Sequence, residues 1–248
     1  MTNDISKLTN EALEYYKAKD FGNAKNTYAK ILEIDDKNVE AFANQGIIFK
    51  LLGDNKKAYE NYIKAININP KYTLAYNNLG NLLKDTANYK GALKVYSDAI
   101  KSDPKNFHAY NNLGMVYEKL KDYNRAILAY KEAVRINPKF AKAVNNIGVI
   151  LYKQKKYQEA VEIFKIALKV DPEYYELYSN IGACYNKDKK YDEAIESLNI
   201  AIEKNPKNGG AYTNLGNVYN KIFDYKKAAK LHEKSIELEP KGSNAYSN

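Results

Sequence analysis

An internal period of 34 residues constrains this chain more than any other feature. Residues 73–106 read TLAYNNLGNLLKDTANYKGALKVYSDAIKSDPKN, and the same marks return in the two units that follow. Glycine recurs at position 8 of the unit, alanine at positions 20 and 27, and proline at position 32. A period of about 20–50 residues predicts repeated supersecondary units that bury a continuous core only by stacking on one another.

The repeats extend in both directions from this segment. Seven units cover residues 5–38, 39–72, 73–106, 107–140, 141–174, 175–208 and 209–242, and a partial eighth covers residues 243–248. The sequence therefore predicts one repeat array over residues 1–248. Because the eighth unit stops where its first helix would begin, we expect the chain to be a truncated piece of a longer protein.

Each unit contains two apolar patterns of helical period, at about positions 2–14 and 18–31. Position 16 carries a short side-chain acceptor that can cap the second helix. These candidate caps are Asp20, Asp54, Asn88, Asp122 and Asp224. Position 32 carries a proline that ends the second helix, because proline disfavours helix in the residue before it. These prolines are Pro70, Pro104, Pro138, Pro172, Pro206 and Pro240.

The small residues predict a close approach between the two helices of a unit. A glycine inside a helix costs about 1 kcal/mol relative to alanine, so its return at position 8 indicates a packing benefit. Position 20 is alanine in every unit, and we expect it to face that glycine. Position 24 is Tyr28, Tyr62, Tyr96, Tyr130 and Phe164 in the first five units, and these large rings are predicted to fill the core.

These marks resemble the tetratricopeptide repeat (TPR) family over residues 5–242. The resemblance implies an all-α fold, a right-handed α-solenoid superhelix of seven helix-turn-helix repeats plus a partial eighth. It also implies that the first helix of each repeat lines the concave face. The last full repeat departs from the pattern with His232 at position 24 and Ser235 at position 27.

Composition and charge exclude several classes of function. The net charge is +9, but only Arg125 and Arg135 are arginines and the lysines are spread over all repeats, so nucleic acid is an unlikely partner. No apolar run is long enough for a membrane span, and no signal peptide is visible. The single cysteine, Cys184, is expected to be a small buried hydrophobe. These features predict a cytoplasmic or nuclear protein.

Residue patterns typical of catalytic sites are scarce in this sequence. The two histidines, His108 and His232, lie in different repeats and form no metal-binding spacing with Cys184. No phosphate-binding glycine loop or nucleophile elbow occurs. We therefore expect no enzyme active site, no cofactor and no metal. The carboxylate clamp of chaperone-binding TPR proteins is also absent, because position 6 is never basic.

Position 6 of the first helix is asparagine in every repeat. The row comprises Asn10, Asn44, Asn78, Asn112, Asn146, Asn180 and Asn214, with Asn248 in the partial repeat. Asparagine is a mediocre helix former, and its amide both donates and accepts hydrogen bonds. The row can therefore pair with the main chain of an extended peptide on the concave face. The alternative is that these amides form bonds between neighbouring helices.

The neighbouring positions indicate the character of a peptide ligand. Position 9 gives a mostly apolar floor that includes Asn81, Met115 and Val149. A lysine closes each first helix, as at Lys84, Lys119, Lys153, Lys187 and Lys221. These lysines predict a basic rim suited to acidic peptides, although a cation there also complements the helix dipole.

We therefore expect a non-catalytic protein–protein interaction scaffold whose concave groove binds an extended, possibly acidic peptide. The asparagine ladder is also similar to that of the TPR arm of O-linked N-acetylglucosamine transferases. That resemblance implies an alternative, in which the chain recognises substrates for a catalytic domain that is absent from it. A second alternative is a TPR scaffold that self-assembles through the ends of its array.

Overall fold

The computed structural model describes residues 2–239, and in that range every regular element is an α-helix. The helices are α1 Thr2–Lys17, α2 Phe21–Ile34, α3 Val39–Leu51, α4 Asn55–Ile68, α5 Thr73–Asp85, α6 Tyr89–Ser102, α7 Phe107–Lys119, α8 Tyr123–Ile136, α9 Ala141–Lys153, α10 Tyr157–Val170, α11 Glu176–Lys187, α12 Tyr191–Lys204, α13 Gly209–Lys221 and α14 Tyr225–Leu238. The predicted all-α class is confirmed. The partial eighth repeat, with Asn248, lies outside the described residues.

The described helices fall into two compact units, one within residues 2–136 and one within residues 137–239. The first unit contains α1–α8, and the second contains α9–α14. Within each unit, the two helices of a repeat pack on each other, and the second helix also packs on the first helix of the next repeat. This arrangement confirms one helix pair for each of the seven repeats.

The predicted capping residues begin the second helices. The side chain of Asp54 accepts the backbone N–H of Lys57 at 3.0 Å, and that of Asp122 accepts the N–H of Arg125 at 3.1 Å. Equivalent bonds form at Asp20, Asn88 and Asp224. Lys156 occupies the same position before α10 and makes no side-chain cap bond. All five predicted caps are confirmed.

The prolines also act as predicted. Helix α4 ends at Ile68, Asn69 follows in an extended conformation, and Pro70 comes next. The other four prolines at this position in the described range likewise follow the end of a second helix. Pro240 lies outside the described residues.

The core between paired helices is built from position 24. Tyr28, Tyr62, Tyr96, Tyr130 and Phe164 are each at most 2% exposed. A Cβ atom on Gly46 would lie 2.5 Å from the ring of Tyr62, and one on Gly114 would lie 2.6 Å from the ring of Tyr130. The close approach is therefore confirmed, and the ring at position 24 supplies the atoms nearest to both added Cβ atoms.

The turn between the paired helices uses the left-handed backbone conformation. Position 15 has a positive φ in every repeat, with +82° at Gly53 and 57–64° at six residues that are not glycine. Those six are Lys19, Ala87, Lys121, Lys155, Lys189 and Phe223. Residues with a Cβ atom pay an energetic cost in this conformation, so the turn is strained in six of the seven repeats.

Candidate functional site

The asparagine row lies on the first helices, and part of it links neighbouring repeats. Nδ2 of Asn112 donates to Oδ1 of Asn77 at 3.4 Å, and Nδ2 of Asn180 donates to Oδ1 of Asn145 at 3.1 Å. In each bond, position 6 reaches position 5 of the preceding repeat. The asparagines therefore do form bonds between neighbouring helices, and each bond uses one of the two N–H groups of the amide.

The last described repeat makes the same link with a different acceptor. Nδ2 of Asn214 donates to the hydroxyl of Ser179 at 3.2 Å. The side-chain oxygens of Asn180 and Asn214 accept no hydrogen bond from residues 2–239. Each of these amides thus keeps one acceptor and one further N–H for a ligand.

The remaining asparagines of the row differ from one another. Burial raises the pKa of the Tyr28 hydroxyl to about 12, and the nearby amide of Asn44 opposes that rise. The Nδ2 atom of Asn78 is buried without a hydrogen-bond partner. Its preceding repeat carries Ala43 at position 5, which offers no side-chain acceptor. Asn10 is exposed, and Asn146 is half-buried.

Other predicted site residues of the first unit contact one another. Oδ1 of Asn81 accepts hydrogen bonds from the hydroxyl of Tyr96 and from Nζ of Lys84, each at 3.1 Å. Met115 is half-buried, and its sulfur lies 3.7 Å from Nδ2 of Asn111. Lys119 is exposed at the end of α7. Oδ1 of Asn81 and Nζ of Lys84 are therefore already engaged with each other.

The second unit contains a groove on the face formed by α9, α11 and α13. One cavity, of about 440 Å³, is lined mainly by amides and lysines, and we call it the amide cavity. Its polar lining consists of Asn186, Asn214, Asn217, Asn220, Lys187 and Lys221. Tyr152 and Ala183 complete the lining.

A second cavity adjoins the first. It measures about 350 Å³, and we call it the apolar cavity because Val149, Tyr152, Phe164 and Ala183 contribute most of its wall. Its polar lining consists of Lys153, Asn180 and Asn214. The two cavities share Tyr152, Ala183 and Asn214 in their linings, and we refer to both together as the groove.

The groove brings together six of the residues predicted from sequence, namely Asn180, Asn214, Val149, Lys153, Lys187 and Lys221. Sequence reasoning missed position 12, which contributes Tyr152, Asn186 and Asn220. The signal was present, because a residue three positions beyond position 9 lies on the same face of a helix.

The charge along the lysine row differs between repeats. In the first unit, Nζ of Lys50 lies 2.6 Å from Oδ2 of Asp85, and Nζ of Lys17 lies 2.7 Å from Oε1 of Glu14. Neither Lys187 nor Lys221 has an ion pair with any residue between 2 and 239. The amide cavity therefore carries two positive charges without a carboxylate in its lining.

Two polar groups in the wall of the amide cavity have unusual surroundings. Oδ1 of Asn186 is buried without a hydrogen-bond partner. Nδ2 of Asn220 lies 3.3 Å from Nε2 of His232, whose ring packs over Gly216. His232 thus occupies a core position, as its place in the repeat predicts.

The described residues offer little else for chemistry. Cys184 is buried, and its burial raises the pKa of the thiol to about 12, as expected for a structural cysteine. No group of three or more histidine, cysteine or acidic side chains between residues 2 and 239 could hold a metal ion. None of the helices in that range has the length and hydrophobicity needed to cross a bilayer.

Solved structures with the same fold support the TPR resemblance. A tetratricopeptide repeat protein from Parabacteroides merdae superposes with a TM-score of 0.75 at 18% identity, over 99% of this chain and 96% of that one. YrrB, described as a TPR protein with an unusual peptide-binding site, gives a TM-score of 0.54 at 25% identity, over 76% of this chain and 97% of that one. MamA gives 0.56 at 28% identity, over 65% of this chain and 94% of that one.

Sequence comparison identifies the family. No curated protein sequence matches the chain. The family described as the cilia and flagella-associated protein 70 C-terminal domain, a TPR domain, matches residues 6–247. Because this match spans nearly the whole chain, the protein belongs to that TPR family.

Proposed function

We propose that the chain is a non-catalytic scaffold that binds an extended peptide in the groove of its second unit. TPR proteins generally act as protein-interaction scaffolds, and the chain has the TPR fold. The observation that carries the proposal is the lining of the groove by five asparagine amides, at Asn180, Asn186, Asn214, Asn217 and Asn220. Asn180 and Asn214 each keep the acceptor and the further N–H that a peptide unit needs.

The bonds between repeats support this role. Because Asn180 and Asn214 are each fixed by one hydrogen bond to the preceding repeat, their orientation is set before a ligand arrives. Ordering a side chain on binding costs about 0.5–1.5 kcal/mol, so fixed amides bind with less entropic loss. Main-chain recognition by such amides tolerates different ligand sequences, as a scaffold with several partners requires.

The lysines add a preference for acidic ligands. Lys153, Lys187 and Lys221 stand along one edge of the groove at the ends of α9, α11 and α13. Positive charge at a binding site steers acidic partners and accelerates their association, and salt screens the effect. The likeness to YrrB, whose description includes a peptide-binding site, agrees with a peptide ligand.

The test is selection of a randomised peptide library on the immobilised chain, followed by binding measurements on the enriched peptides. The variant Asn180→Ala/Asn214→Ala/Asn217→Ala removes three groove amides. At about 0.5–1.5 kcal/mol per hydrogen bond, it should weaken binding by more than about tenfold. Asn199→Ala, on the exposed face of α12, removes an amide outside the groove and should bind as the parent does.

A second variant separates binding from stability. Asn145→Ala/Ser179→Ala breaks the same two inter-repeat bonds from their buried side and leaves the groove amides in place. It should lose thermal stability and some peptide affinity, because the amides are no longer fixed, but less affinity than the triple variant loses. If it loses as much affinity as the triple variant, the asparagines serve the array and the proposal fails.

One observation favours self-assembly as a second function. In the last described repeat, Phe223 is 75% exposed and Tyr225 is 62% exposed, and their ring centroids lie 6.2 Å apart. Such a pair can bury apolar area against another copy. Light scattering across a concentration series should show association that Phe223→Ser abolishes.

The glycosyltransferase alternative concerns a catalytic domain outside these 248 residues and stays a prediction.

A further inference from the structure

The amide cavity is suited to a carboxylate. Lys187 and Lys221 supply ammonium groups, and every other side chain in the lining is uncharged. Neither lysine is neutralised by an ion pair within residues 2–239. A carboxylate accepts hydrogen bonds from both ammonium and amide N–H groups, whereas a basic side chain would be repelled.

The cations of the cavity do not require a ligand group with two-pronged geometry. Arginine recognises carboxylates and phosphates alike through paired N–H bonds, because its planar guanidinium matches the oxygens of both. Both arginines of the chain, Arg125 and Arg135, lie in the first unit, so the cavity has only lysines. Lysine acts as a point charge, which a single Asp or Glu side chain satisfies.

The apolar cavity requires a different side chain. Val149, Ala183 and the rings of Tyr152 and Phe164 provide an apolar wall, and Phe164 is only 1% exposed. The volume of the apolar cavity, about 350 Å³, falls in the usual range of small binding pockets, about 300–1,000 Å³. An aliphatic or aromatic side chain placed there leaves water for an apolar surface.

The two cavities are close enough for one peptide to fill both. Helix α11 contacts both α9 and α13, and helices packed in this way lie about 8–10 Å apart. An extended chain advances about 3.3 Å per residue, so two or three residues cover that distance. Asn214 lies at the junction, where its free Oδ1 can accept a main-chain N–H of the intervening residue.

The geometry points to a two-part recognition motif. The groove binds extended peptides that carry an apolar side chain and, two or three residues away, an aspartate or glutamate. The apolar side chain enters the apolar cavity, and the carboxylate enters the amide cavity between Lys187 and Lys221. This inference rests on the proposed peptide-binding function and adds its specificity.

The experiment repeats the library selection on the full chain and on three variants. Peptides enriched by the parent chain should share the apolar and acidic pair at this spacing. Lys187→Gln/Lys221→Gln should remove the preference for an acidic residue and retain that for an apolar residue. Val149→Asn should remove the preference for an apolar residue and retain that for an acidic residue. The matched control Lys204→Gln/Lys207→Gln removes the same charge from exposed positions outside the groove and should preserve both preferences.

Charge exchange provides a measurement that misfolding cannot imitate. Lys187→Glu/Lys221→Glu should weaken binding of an enriched acidic peptide by roughly tenfold, and replacing the peptide's acid with lysine should restore it. The motif is wrong if enriched peptides depend on Asn180 and Asn214 but lack the pair. A phosphoserine peptide that binds more tightly than its glutamate counterpart overturns the carboxylate assignment. If no peptide depends on those asparagines, the proposed function itself fails.

Discussion

The ring of Tyr62 occupies the space that a side chain on Gly46 would need, since a Cβ atom there would lie 2.5 Å from Cε1 of the ring. Gly46→Ala should therefore destabilise the protein, although alanine is the better helix former. Overpacking costs about 1–3 kcal/mol, and the gain in helix propensity is about 1 kcal/mol. We expect a net loss of up to about 2 kcal/mol, measured by chemical denaturation.

Gly22→Ala is the matched control for that prediction. Gly22 is exposed on α2, and the nearest atom to an added Cβ, an oxygen of Asp20, lies 3.6 Å away. Here the substitution should stabilise by up to about 1 kcal/mol. Equal effects of the two substitutions would contradict the packing role of Gly46.

A missing acceptor beside Asn78 gives a second prediction. Ala43→Ser should place a hydroxyl near the buried, unpartnered Nδ2 of Asn78, as Ser179 does for Asn214. Satisfying a buried donor is worth about 1–3 kcal/mol, against a helix-propensity loss of up to about 0.7 kcal/mol. The melting temperature should rise by a few degrees, equivalent to a net gain of about 1 kcal/mol.

Ala43→Cys tests the cause of any gain. It adds a group of similar size whose sulfur is only a weak acceptor, so the melting temperature should change little. Ser179→Ala should have the opposite sign to Ala43→Ser, because it leaves Asn214 without its acceptor. A stabilising Ser179→Ala would show that these bonds contribute nothing.

The capping aspartates predict a loss of stability in acid. Backbone N–H groups at the starts of α4, α8 and α14 lower the pKa values of Asp54, Asp122 and Asp224 below the ordinary 3.8. Because the folded pKa is lower than the unfolded one, their contribution is complete above about pH 4 and is lost as pH falls further. Melting temperatures measured from neutral pH downwards should decline in that window.

Substituting all three aspartates with asparagine isolates this effect. Asparagine caps a helix about as well as aspartate but does not ionise. The variant should melt close to the parent at neutral pH and show a shallower decline in acid. An unchanged acid profile would assign the decline to other carboxylates.

The strained turn at position 15 predicts two substitutions of opposite sign. Lys155→Gly should stabilise the protein, because a residue with a Cβ atom costs about 1–2 kcal/mol at positive φ. Glycine also raises the conformational entropy of the unfolded chain, but this offsets only part of the gain. Gly53→Ala should destabilise by about 1 kcal/mol. Chemical denaturation of both variants measures the change in the free energy of unfolding. A change in the same direction for both substitutions would contradict the strain.

Cys184 should resist thiol reagents in the folded protein. Its burial raises the pKa of the thiol to about 12, so almost none of the reactive thiolate is present at neutral pH. Modification by a coloured disulfide reagent should be slow in buffer and fast in denaturant. Rapid modification of the folded chain would show that the site opens far more often than its burial indicates.

Much of the fold could be predicted because the repeats report the same information several times. A cap at position 16 and a proline at position 32 act locally, so their effects follow from a few neighbouring residues. The sequence did not show which side chain comes nearest to Gly46. Position 20 and position 24 share a helix face, and only the structure shows that the larger ring of Tyr62 closes the gap.

The candidate site was only partly predictable. Helical spacing placed Asn180 and Asn214 beside Lys187, and the structure brings them together. Bonds between neighbouring helices were one alternative for the asparagine row, but their acceptor at position 5 of the preceding repeat could not be predicted, because several residue types serve there. The strained turn left no signal either, since lysine, alanine and phenylalanine all occur there.

The link between Asn180 and Asn145 makes one repeat depend on its predecessor, and this has a consequence for how such arrays change in length. Removing residues 39–72 as a block would bring Thr9, which has a hydroxyl, up against Asn78 in place of Ala43. Deletion of an internal repeat can thus supply a missing hydrogen-bond acceptor at a boundary between repeats, while insertion of a repeat can remove one. The products of unequal recombination between repeats are therefore expected to differ in stability according to the hydrogen bonds at their new boundaries.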